Sequence, residues 1–155
     1  MATWFEDKPE WLNDSISSIT SQTIRPYEFI IVIDGPIPEL NLKTIQNHAL
    51  KYDFIKIVKI KNNCGCFNAR NKGIKIAAGD FIAIMDADDI SMPYRLEVQI
   101  QDLHKYKADI VFSTQNEFYD KSNIFAGYKS CPRYHKDIVK KITFRNLLPD
   151  PSIFA

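Results

Sequence analysis

"GDFIAIMDADDISMPYR", Gly79 to Arg95, is the stretch that decides how this chain is read. An apolar run, "FIAIM" (81–85), ends abruptly in Asp86, Asp88 and Asp89, with Ser91 and Pro93 close behind. Three carboxylates at the end of a buried strand repel one another and lose solvation. Such crowding calls for a positive charge nearby.

Outward from this stretch, short β-rich runs alternate with helical patterns. Immediately before it, "FNARNKGIKIAAG" (67–79) reads as a helix closed by Gly79. After it come a helix from about Pro93 to Tyr106 and the strand "DIVFST" (109–114). Upstream, residues 9–22 suit a helix: Asp7 can cap it, Pro9 fits its first turn, and Trp11, Leu12, Ile16 and Ile19 follow helical spacing. "EFIIVID" (28–34) is too uniformly apolar to have a wet face, so both its faces should be covered. Residues 39–51 suit a second helix, and "FIKIVKI" (54–60) alternates as a strand does.

Strand–helix alternation builds a mostly parallel sheet with helices on both faces, an α/β domain. Ligands of such sheets sit beyond the carboxyl ends of the strands. Acids mark two of these ends, Asp34 after "FIIVI" and Asp86 to Asp89 after "FIAIM", and both are expected to open onto one edge. Residues 1–115 read as this domain, and periodicity fades in 116–155. "MATW" (1–4) directly precedes the first helix, so the chain reads as starting inside its first strand.

Composition narrows the class. The 155 residues are 45% hydrophobic and 25% charged, a globular profile with room for a core. A net charge of +1 gives no field that would draw nucleic acid. The longest apolar runs, at 29–33 and 81–85, are far too short to span a membrane. Three cysteines, Cys64, Cys66 and Cys131, are an odd set for a disulfide framework, which makes a reducing cytoplasm the default. No second Cys/His pair backs Cys64 and Cys66 as a zinc site.

Side chains alternate along a strand, so Asp86 and Asp88 can point to one side. Paired carboxylates at a sheet edge suit a hard cation, Mg²⁺ or Mn²⁺, and a cation held by few protein ligands usually carries phosphate. The competing reading is that Asp88 or Asp89 caps the helix near Pro93, which accounts for one acid but not for three. A Gly-x-x-x-x-Gly-Lys loop and a Gly-x-Gly-x-x-Gly turn are both missing. A phospho-receiver would need an acidic pair ending its first strand and a late lysine. A haloacid dehalogenase-like phosphatase would need its Asp-x-Asp-x-Thr near the start, whereas here the motif is central and Ile90 stands in the threonine place.

The order "SISSITSQT" (15–23), "EFIIVIDGP" (28–36), "NNCGCFNARNKGIKIAAGDFIAIMDADDIS" (62–91) and "RLEVQ" (95–99) resembles the family 2 glycosyltransferases. The resemblance implies the GT-A fold, here truncated at both ends. It implies transfer of a sugar, with inversion, from a nucleotide-diphosphate donor (a UDP-sugar by preference) to a glycan or lipid-linked acceptor of the bacterial cell surface. Residue by residue, it implies that Thr3 and Trp4 hold the base and ribose and that Asp34 hydrogen-bonds the base. Arg70 and Asn71 would lie beside the nucleotide-sugar, Arg70 on pyrophosphate or sugar, with a surface salt bridge as its close alternative. Asp86 and Asp88 match the metal-binding Asp-x-Asp, with Mn²⁺ or Mg²⁺ as cofactor. Asp89 either orients the donor sugar or caps the next helix. Gly65 and Gly73 would relieve crowding nearby.

"NLLPDPSIFA" (146–155) matches a later family segment weakly, and Asp150 reads as a loop residue. The general base is expected beyond Ala155, so no catalytic residue is assigned. The rival reading is a nucleotide-sugar-binding module without transferase activity. His48, His104 and His135 are scattered rather than a ligand set, and Phe118, Tyr119, Phe125, Tyr128 and Tyr134 suit either an acceptor groove or satellite packing. Lys136, Lys140 and Lys141 form a basic patch, either solvated or in peripheral contact with the inner face of the cell membrane.

Overall fold

The computed structural model describes residues 1–119, 124–130, 132, 134–142 and 152–155, the last two residues of 134–142 by backbone only. Cys131, the segment 143–151 with Asp150, and the Lys141 side chain therefore lie outside the described residues.

Three parallel strands form the centre. β1 (Ala2–Thr3) pairs with β2 (Phe29–Asp34), and β2 pairs along its whole length with β3 (Ile55–Ile60). β2 is the middle strand, and five of its six residues are buried, as its unbroken apolar run predicts. Its faces divide by residue parity. Phe29, Ile31 and Ile33 join Leu12, Ile16 and Ile19 of α1 (Pro9–Thr20) and Ile45 of α2 (Glu39–Lys51) in the main core. On the other face Ile30 and Val32 meet α3 (Cys66–Ile76), where a Cβ on Gly73 would lie 3.1 Å from the Val32 methyl. Gly73 is thus a packing glycine, because a side chain there would push the helix off the sheet.

Several local expectations change. Asp7 does not cap α1: Lys8 occupies the cap position with no side-chain bond, while Asp7 turns back to the end of β1. α3 ends at Ile76, three residues before Gly79, because the Ala78 N–H leaves the helix to donate to Glu28 Oε1 at 2.6 Å. Residues 80–86 and 109–114, read as strands in sequence, form no ladder with the parallel sheet. Both bond instead to the strip 152–155. Ile84 N–H donates to the Ile153 carbonyl at 2.9 Å, and Val111 and Phe154 exchange bonds of 2.9 and 3.1 Å. A second small core forms there, with Leu96 and Leu103 of α4 (Arg95–Tyr106) against Phe154.

Beyond residue 114 the chain is more regular than its faded periodicity suggests. β4 (Gln115–Phe118) and β5 (Phe125–Lys129) pair antiparallel, and α5 (His135–Ile142) follows. Among the described residues no helix is long and apolar enough to cross a membrane.

Candidate functional site

Two cavities compete for attention. The larger, about 380 Å³, runs between β2 and residues 79–85 and is walled by apolar side chains such as Ile30, Ile74 and Ile82. The smaller, about 330 Å³, lies at the carboxyl ends of β1 and β2, lined by Thr3, Trp4, Asp34, Asn63, Gly65 and Cys66. The second carries Thr3 and Asp34 in its lining. Its donors and acceptors stand where strand ends present them.

Asp34 is 3% exposed and closely held. Its Oδ1 accepts the Cys64 N–H at 2.8 Å, and its carbonyl accepts from Asn63 Nδ2 at 3.2 Å. Asp34 therefore ties the end of β2 to the loop that follows β3, and the same bonds fix its carboxylate at the cavity wall. Gly35, next in line, has φ +87°, and a Cβ there would sit 2.8 Å from the Asn63 backbone nitrogen. Gly65 also has positive φ, but nothing lies within 4 Å of its missing Cβ, so its role is conformational rather than a relief of crowding.

Thr3 is buried and Trp4 is 43% exposed at the cavity mouth. Asp7 organises both: its Oδ2 accepts from Thr3 Oγ1 at 2.7 Å and from the Trp4 N–H at 2.9 Å. Burial raises the Asp7 pKa, and the charges of Asp88 and Asp86 push the same way. Asp7 thus lies in the field of the acid turn, a placement its position in sequence does not suggest.

α3 links the two acidic strand ends. Cys66 at its start lines the Asp34 cavity, and Arg70, one turn along the same face, forms an ion pair with Asp86. The two side chains are only 12% and 27% exposed, so this is a part-buried pair rather than the surface salt bridge expected as the alternative role for Arg70. Asn71 is the exception among the expected residues. About 100° further round the helix, it is exposed and lines neither cavity.

Asp88 is exposed and Asp89 half-buried. Burial, then Asp88 and Asp86, push the Asp89 carboxyl up to about 6. Asp89 does not cap α4, whose cap residue is Tyr94 with no side-chain bond. The three acids supply hard oxygens, the donor type a divalent cation takes, and their repulsion is registered on Asp89. Among the described residues no three His, Cys, Asp or Glu side chains already form a metal-binding group. A cation here would take one or two carboxylates and complete its shell with water and phosphate oxygens.

The turn is braced by residues that carry no acid–base signal. Ser15 Oγ donates to the Asp86 carbonyl at 2.7 Å, and Ser18 Oγ accepts the Ser91 N–H at 3.0 Å. Gln22 Nε2 donates to the Met92 carbonyl at 2.8 Å. In sequence their only signal is a polar stripe at positions i, i+3 and i+7, two on the buried side of α1 and Gln22 just past its end.

Comparison with solved structures places the architecture. Residues covering 80% of this chain superpose on 36% of Staphylococcus aureus TarS 1–349, solved in complex with UDP, at a TM-score of 0.65 and 17% identity. The mannosyltransferase PcManGT of Pyrobaculum calidifontis, solved with GDP-Man and Mn²⁺, gives 0.58 at 16% identity, over 79% of this chain and 36% of that one. The fold is therefore that of the GT-A glycosyltransferases, of which the described residues form part. The profile of glycosyl transferase family 2 matches residues 1–153, and the chain belongs to that family. A glycosyltransferase of Methanocaldococcus jannaschii is 35% identical over all of this chain and 53% of its own length. The amylovoran biosynthesis glycosyltransferase AmsE of Erwinia amylovora is 35% identical over 61% of this chain and 35% of its own. The chain spans about half the length of the M. jannaschii relative.

Proposed function

We propose that this chain carries the donor site of a glycosyltransferase that takes its sugar from a nucleotide diphosphate, with UDP as the nucleotide. The observation that carries this reading is the single face of α3. It sets the Asp34 cavity at one end and the Arg70–Asp86 pair one turn on, which spaces a base pocket from a diphosphate site. Sugar-nucleotide chemistry in the family and the UDP and GDP-Man complexes of the two neighbours support it.

In this reading the base enters beside Trp4 and Thr3, and Asp34 accepts a hydrogen bond from its ring N–H. The Cys64 N–H bonds Oδ1 and the Cys64 thiol also hydrogen-bonds this carboxylate, so the ligand would share Asp34 with Cys64. Arg70 turns part of its charge toward the diphosphate. Asp88 and Asp86 would hold Mn²⁺ or Mg²⁺, which when bound supplies Lewis-acid stabilisation of the departing diphosphate. Asp89, its pKa raised by burial and by its acidic neighbours, would accept from a donor-sugar hydroxyl. The acceptor, a glycan or lipid-linked sugar, would attack from the opposite face with inversion, at the cytoplasmic side of the membrane.

Calorimetric titration with UDP, with and without Mn²⁺, tests the assignment. Asp88→Ala should remove the Mn²⁺-dependent gain, on the order of 100-fold, and leave metal-free affinity alone. Asp34→Ala should weaken both by about tenfold. UDP affinity that is indifferent to Mn²⁺ in the parent chain refutes the reading.

A further inference from the structure

Arg95 poses the converse of the aspartate problem. The residue is 9% exposed, and a buried cation ordinarily faces a carboxylate. Here every described hydrogen bond goes to a neutral group. Nε donates to Gln99 Oε1 at 3.0 Å, Nη1 to Ser91 Oγ at 3.0 Å and Nη2 to the Ile84 carbonyl at 2.7 Å. Longer contacts reach the Met85 sulfur at 3.5 Å and the Ile153 carbonyl at 3.4 Å. The negative charges that offset it act through space: Asp89 first, then Asp86, oppose the effect of burial on its pKa.

The partners bracket the acid turn. Ile84 and Met85 precede Asp86, and Ser91 follows Asp89. Gln99, one turn along α4, extends the same network to Ser113 Oγ at 2.9 Å and the Ser152 carbonyl at 2.7 Å. One guanidinium thus ties the chain before the turn to the chain after it, and both to the strip 152–155. Only a planar fork with donors in several directions can do this, whereas an ammonium would keep the charge and lose the bracket.

We infer that Arg95 is a positioning residue for the acid turn: it clamps both flanks of Asp86–Asp89 and sets a fixed positive charge beneath them, so that the carboxylates stand ready for a divalent cation. The inference rests on the reading of that turn as the cation–diphosphate site. It also explains how three acids can share one turn: Arg70 balances them from one side and Arg95 from below.

The test is calorimetry of the 155-residue chain with UDP, with and without Mn²⁺. Arg95→Lys should cut the Mn²⁺-dependent gain about tenfold while metal-free UDP affinity stays within about twofold. Ile45→Val, a core change away from both acidic ends, should lower the melting temperature yet keep the full gain. A merely structural Arg95 would behave like Ile45→Val, and retention of the full gain in Arg95→Lys overturns the inference. If the parent chain itself shows no gain, the reading of the turn fails and takes the inference with it, a pattern distinct from the previous one. Should Arg95→Lys not fold, Ser91→Ala removes one flank of the clamp; a loss of about threefold in the gain upholds the inference and no loss overturns it.

Discussion

The acidic end of β2 and the acid turn at residues 86–89 both adjoin α3 but are held by different means. Asp34 rides on a six-residue strand with a full ladder to β3, and the loop after β3 completes its setting with the Cys64 N–H. Asp86 to Asp89 end a stretch that forms no ladder with that sheet, and side chains from α1, α3 and α4 hold them. A ladder fixes direction at small cost when one acid must be aimed. Three neighbouring acids also need charge, and a ladder supplies none. The brace is therefore built from Ser15, Ser18, Arg70 and Arg95, side chains of helices that lie outside the turn they serve.

The contrast breaks first at Gly35. Its φ is +87°, and the Asn63 backbone nitrogen would stand 2.8 Å from a Cβ at this position, which leaves no room for alanine. Gly35→Ala should cost about 3 kcal/mol in denaturant unfolding and should weaken UDP binding with or without Mn²⁺. Ser18→Ala attacks the other end. It leaves the buried Ser91 N–H without its acceptor, for about 2 kcal/mol. Its UDP affinity should fall only where Mn²⁺ is present. If Ser18→Ala weakened metal-free binding equally, the two ends would be one unit rather than two.

The same contrast explains what could be read in the chain. β2 and α2 stand where "EFIIVID" and residues 39–51 place them, since a doubly covered strand and an amphipathic helix are local patterns. Asp34, Asp86 and Asp88 are visible as acids closing apolar runs. Residues 80–86 look equally strand-like, yet their partners are 153–155, a pairing that no local pattern announces. The β4–β5 hairpin escapes notice because its aromatics face outward: Phe118 and Phe125 are more than half exposed and pack edge-on against each other. Ser15, Ser18 and Arg95 read as ordinary helix polar residues until the turn they brace is in place. Asp7 misleads for a related reason, since a helix cap and a tether for Thr3 and Trp4 look identical in sequence.

The smallest effect sharpens the comparison by pH. With cations removed by EDTA, the Asp89 carboxyl titrates at about 6 in the folded chain, against about 3.9 when unfolded. Between those values the folded state binds more protons, so this group makes stability rise as pH falls from about 6 toward 4. At neutral pH the ionised, half-buried carboxylate is a cost. Asp89→Asn should therefore be more stable than the parent at pH 7, with the difference shrinking as the pH approaches 4. Asp7, also raised by burial, adds a slope of the same sign to both proteins, so the difference between them isolates Asp89. Chemical denaturation at three pH values measures it. A constant difference across that range would mean that the charge crowding does not reside in the turn, and the distinction between a ladder-held and a charge-held strand end would lose its electrostatic half.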